Sequence, residues 1–91
     1  MQWDQSQDSL ELLDNVKIKF GTNDDLQIHH DGSNSYIKQF DSKTGNLIIE
    51  QSTDDADIIF KCDDGSGGTT AYLQIDGGAE KIVVSKPLNL I

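Results

Sequence analysis

The residues of this chain best suited to chemistry gather in one stretch, LQIHHDGSNSYIK (residues 26–38), where His29 and His30 stand side by side before Asp31 and Gly32. Imidazole binds transition metals and carries protons near neutral pH, and the hydroxyl and amide groups of Ser33, Asn34, Ser35 and Tyr36 come close behind it. Successive strand residues point to opposite faces, so His29 and His30 of one chain are badly placed to grip one ion, unlike ligands at i and i+2. In a three-fold assembly, however, three copies of an inward-facing His30 would converge on the axis, and His30 is therefore the candidate metal ligand. The competing reading is a histidine at a strand end, hydrogen-bonded to Asp31 or to a turn carbonyl.

Other chemistries find fewer supports. Asp24 and Asp25, Asp54, Asp55 and Asp57, and Asp63 and Asp64 offer oxygen ligands, but the position twelve from Asp63 is Gln74, which breaks the EF-hand spacing. Asp beside Gly more often sets a turn and keeps its tip solvated. The glycine-rich stretch at residues 63–70 lacks the lysine of a phosphate loop and the helix that would come after one. Ser35 lies five residues after His30 and Cys62 sits in an apolar alternation, with no basic group placed to hold an oxyanion. Paired carboxylates that cleave glycans normally line a deep groove built from far more chain. No enzyme and no cofactor are expected. A binding surface would use an aromatic ring on sugar, with Tyr36, Asn34 and Ser33 as the candidate ligand contacts, although Trp3, Tyr36, Phe40 and Tyr72 are all also fillers for a chain poor in apolar residues.

The elements that must hold these residues are strands. Short runs with period two are punctuated by Asp, Gly, Asn and Ser, and no stretch keeps a helical period. NVKIKFG sets Val16, Ile18 and Phe20 against Lys17 and Lys19, and DLQIHHDG sets Leu26 and Ile28 against Gln27 and His29. SYIKQF reads as the returning strand, residues 47–50 (LIIE) as another, and DIIFKC, AYLQIDGG and the final KIVVSKPLNLI as three more. Pro87 cannot donate to a ladder, so the last is an edge or a strand start. Leu26-Gln27-Ile28 and Leu73-Gln74-Ile75 resemble each other, two weak copies that do not by themselves prove a repeat. Residues 1–13 read as a lead-in and 63–70 as a connector within one module spanning 1–91.

Composition narrows the partners. The chain has 91 residues, a net charge of −9, seven lysines and one cysteine, Cys62. Scattered lysines among acids exclude phosphate-directed binding of nucleic acid, and no apolar run could insert in a membrane. The opening MQWDQSQD lacks the layout of a signal peptide. One cysteine excludes an intrachain disulfide, and oligomerisation is the common substitute for so short a chain.

Most of the chain also resembles a known kind of protein. DNVKIKFGT, DLQI and HDGSNSYI, within residues 3–37, are similar to segments of tail-fibre and related virion structural proteins of marine tailed bacteriophages. TGNLIIE, DIIFKCDDGSGGTTAYLQIDG and KIVVSKPLNL resemble the next segments of those same proteins, whereas His29 stands where Tyr is more usual. The resemblance implies a non-enzymatic structural component of a fibre in the virion, working with other virion proteins, or an adhesin that takes host-surface glycan. The expected fold is all-β, most simply an elongated intertwined homotrimer like a triple β-helix or β-prism. A single-chain β-sandwich and a β-solenoid share the same strand grammar. In the trimer Val16, Ile18, Phe20, Leu26, Ile28, Ile58, Phe60, Leu73 and Ile75 face inward.

Overall fold

A computed structural model describes residues 2–40 and 45–89. It is all-β: eight short strands and, among the described residues, no helix. The strands are β1 (Gln2–Asp4), β2 (Ser9–Glu11), β3 (Ile18–Phe20), β4 (Leu26–His30), β5 (Ser35–Gln39), β6 (Ile58–Asp63), β7 (Thr69–Asp76) and β8 (Lys81–Val84). Every pairing is antiparallel between consecutive strands: a hairpin β1-β2, then the meanders β3-β4-β5 and β6-β7-β8. The contacts divide the chain into two compact units, Met1–Leu47 and Ile48–Ile91.

Three expectations from the sequence change here. Residues 2–11 hold a hairpin, with Trp3 opposite Leu10, inside what reads as a lead-in. Residues 47–50 have no ladder partner among the described residues, although LIIE has high strand propensity. Propensity supplies an extended backbone, but a strand also needs a neighbour to take its N–H and C=O groups. The connector at 63–70 is shorter as a loop, because Asp63 closes β6 while Thr69 and Thr70 open β7. The part of the TGN turn at Thr44 lies outside the described residues.

Turn chemistry depends on the acids. Asp8, Asp24 and Asp55 adopt positive φ (51°, 59° and 61°), a region that Asp and Asn reach more readily than most side chains. Asp64 Oδ1 accepts the backbone N–H groups of Ser66 (2.7 Å) and Gly68 (3.1 Å), closing the β6-β7 loop. Asp57 accepts from Gln74 Nε2 (2.6 Å) through one oxygen and from the Gly77 N–H (3.0 Å) through the other. Much of the negative charge is therefore employed in shaping loops.

The two meanders share a register that the sequence only hints at. In the first, Ile18 opposes Ile28 and Ile28 opposes Ile37, while Phe20 opposes Leu26. In the second, Ile58 opposes Ile75 and Ile75 opposes Ile82, while Phe60 opposes Leu73. Lys19-Gln27-Lys38 and Ile59-Gln74-Val83 form the corresponding rows on the opposite faces. The second hairpin then extends beyond this frame. The partner steps from Leu73 opposite Phe60 to Ala71 opposite Lys61, leaving Tyr72 as a bulged residue, and three pairs from Lys61 to Asp63 complete the ladder before the turn.

Burial is inverted relative to an ordinary small domain. No apolar side chain among the described residues is buried, and the one buried residue is polar: Gln27, 7 % exposed, its Nε2 donating to the Asp24 carbonyl at 3.2 Å. The sequence places Gln27 outward and Ile28 inward. The alternation is right, but within this chain it is the Gln27 face of β4 that is covered and the Ile28 face that is open.

Candidate functional site

The β4-β5 hairpin positions every candidate residue of the HHDGSNSY stretch. Residues 31–34 form its loop, entered by Asp31 and turned by Gly32, whose φ of +98° is a conformation a side chain would strain. The Asp31 N–H donates to the Asn34 carbonyl at 3.0 Å. Asp31 Oδ1 in turn accepts the backbone N–H groups of Asn34 (2.7 Å) and Ser33 (2.9 Å), and Oδ2 accepts the Tyr36 hydroxyl at 3.2 Å. These donors, first the Asn34 N–H and then the Ser33 N–H, hold the Asp31 carboxyl below its ordinary value.

The loop length then sets the cross-strand partners, His29 opposite Tyr36 and His30 opposite Ser35. On one face the His29 ring stacks on Tyr36, with centroids 4.9 Å apart and planes 15° from parallel. On the other, which also carries Ile28 and Ile37, His30 Nδ1 lies 2.9 Å from Ser35 Oγ. The two histidines thus take opposite faces. His30 pairs with the opposing serine, not with Asp31 or a turn carbonyl, because Asp31 is engaged with its own loop and with Tyr36. Among the described residues no group of three or more His, Cys, Asp or Glu side chains is gathered to hold a metal.

A hydroxyl beside an imidazole is the first element of nucleophilic catalysis. Such a pair works when a third group orients the base and donors await the oxyanion. Here both carboxylate oxygens of the adjacent Asp31 are spoken for, and the pair of His30 and Ser35 stands exposed at a strand end. The arrangement is that of a cross-strand polar contact closing a hairpin.

Tyr36, Ser33 and Asn34 come together through one carboxylate: Asp31 holds the Tyr36 hydroxyl and the loop N–H groups of the other two. The sequence offers Asp31 only as a partner for histidine and does not show its role in gathering the loop, although Asp before Gly at a hairpin tip is the signal for it. A shallow groove of about 560 Å³ lies beside this end of the hairpin, lined by Ile28, His29, His30, Ser35, Tyr36 and Ile37. A second, about 470 Å³, occupies the corresponding end of the other meander, lined by Ile75, Asp76, Gly77, Glu80, Lys81 and Ile82. Ile28 and Ile37 in one groove are the register equivalents of Ile75 and Ile82 in the other.

Other residues singled out by type make contacts of their own. Cys62 is a free, exposed thiol on β6. Tyr72 donates its hydroxyl to the Asp63 carbonyl at 2.7 Å and has Lys86 over its ring, and Phe40 has Lys38 over its ring. No helix among the described residues is long and apolar enough to cross a membrane. Compared with known proteins, the chain matches no family model, no curated protein and no solved structure.

Proposed function

We propose that this chain is a non-enzymatic structural module of a phage tail fibre or related virion appendage, in which three parallel copies share one core and build an elongated β shaft or tip. The observation that carries the reading is the absence of any buried apolar side chain among the described residues, together with a row of large apolar side chains standing open on each meander. A chain of 91 residues with a single cysteine must offset the entropy of ordering by burying apolar surface, and these open rows are what it has available. Light scattering on the purified chain at micromolar concentration tests this. The expected mass is three times the 10.0 kDa of one chain. A compact monomer that melts cooperatively would overturn it and favour a single-chain β-sandwich.

A second reading rests on Tyr36, whose ring is fixed by His29 and whose hydroxyl is fixed by Asp31 while more than a third of the residue stays exposed. A rigid exposed aromatic beside Asn34 and Ser33 suits host-surface glycan, which stacks on such rings. Binding to a glycan array that disappears in Tyr36→Ala supports it, and unchanged binding removes it.

A further inference from the structure

We infer that the apolar face of the first meander and the apolar face of the second are one self-association surface built twice, each covered in the assembly by a second copy of this chain. This deepens the proposed assembly and rests on it. The rows Ile18-Ile28-Ile37 and Ile58-Ile75-Ile82 occupy identical register positions, and Phe20-Leu26 and Phe60-Leu73 lie beside them in the same order. Every side chain in these rows is exposed or half-buried, reaching 66 % at Ile37 and 71 % at Ile82.

Three observations select a copy of the chain as the occupant. No Asp, Glu, Lys or Arg stands in any of these rows, so chains that each carry −9 can meet here without opposing like charges. A heterologous partner drawn by charge would instead be a basic one directed at the acidic loops. The exposed part of the two faces amounts to roughly 800 Å² per chain, taking about 200 Å² for a fully exposed large apolar side chain, which is the per-partner area of a standard stable interface. Finally, a three-fold ring closes through heterologous contacts, in which one patch of a chain meets a different patch of the next, and a chain that carries the same pattern of Ile and Phe twice offers two apolar patches of matching kind.

The test compares single substitutions on the two faces of the full chain. Ile75→Asp and Ile28→Asp place a charge in the inferred interface, whereas Ile59→Asp places one on the opposite face of β6, at a side chain about as exposed as Ile75. Sedimentation velocity over a concentration series should show the assembly midpoint raised about 100-fold or more by each of the first two and moved less than about 3-fold by the third. Equal effects of Ile59→Asp and Ile75→Asp overturn the inference. Because an Asp variant can fail to fold, carbene footprinting of the unmodified chain gives a second readout: Ile37 and Ile82 should lose labelling on going from dilute to concentrated protein. A trimer whose Ile37 and Ile82 stay labelled rejects this surface while leaving the trimer standing. A dimer with both residues protected does the reverse, and a monomer at all concentrations removes both.

Discussion

Gly77→Ala should destabilise the second meander far more than Gly78→Ala, one residue away. Both glycines have φ outside the left-handed region, so an alanine is acceptable to the backbone at either position. At Gly77, however, an added Cβ falls inside van der Waals contact with the Ala56 carbonyl oxygen, which belongs to the backbone and cannot swing aside. The β7-β8 turn has to move away from residues 56–57, and Asp57 then loses its bond to the Gly77 N–H and strains its bond to Gln74 Nε2. Overpacking costs about 1–3 kcal/mol and each net hydrogen bond about 1 kcal/mol, giving about 2–4 kcal/mol together. For a chain of this size that lowers Tm by at least about 8 °C. At Gly78 the new methyl would meet Asp55 Oδ1 at 3.4 Å, an ordinary contact, and the stiffer unfolded chain contributes about 0.4–1 kcal/mol in favour of folding. Its Tm should be unchanged or slightly raised. Thermal melts read by circular dichroism at one protein concentration compare both variants. Equal melting temperatures for the two would refute the close approach of Gly77 to residue 56.

Asp31 has its folded-state carboxyl lowered, so the support it gives the loop is present above its ordinary value of about 3.9 and lost as pH falls through the lowered one. The amide resonances of Ser33 and Asn34 should titrate with a midpoint below about 3.9, and Asp31→Asn should abolish that titration; a midpoint above this value contradicts the bonding of the Asp31 carboxylate. His30→Ala removes one exposed hydrogen bond to Ser35 and should cost about 0.5–1 kcal/mol, with a chelator leaving Tm unchanged. A chelator-induced fall of more than a few degrees would instead place a metal on His30. If three chains assemble, a particle with three times the charge of −9 should gain stability as NaCl rises from about 20 mM to about 200 mM, and a falling Tm over that range argues against like-charged copies in close contact.

Period-two alternation made the faces of β3, β4, β6 and β7 legible, and the Asp-Gly corner located the β4-β5 turn. What stayed hidden depends on pairing. Strands β1 and β2 carry one apolar residue each, Trp3 and Leu10, too few to show a period, and residues 47–50 alternate nothing yet are rich in β-forming side chains. The stack of His29 on Tyr36 exists because a four-residue loop puts those two opposite each other, a matter of register that composition does not carry. The duplicated frame was visible only as two copies of Leu-Gln-Ile, because five residues separate Phe20 from Leu26 while twelve separate Phe60 from Leu73. Sequence spacing differs where spatial register does not.

The bulge at Tyr72 gives that difference a practical meaning. By absorbing the odd residue on β7, it lets the upper part of the β6-β7 hairpin grow while Phe60 and Leu73 keep the pairing that Phe20 and Leu26 have in the shorter hairpin. Hairpin length is thereby uncoupled from the frame beneath, and the tip at residues 64–68, tied by Asp64 to its own N–H groups, becomes a graft point. A foreign epitope spliced between Ser66 and Gly67 should be displayed without disturbing the rows below it.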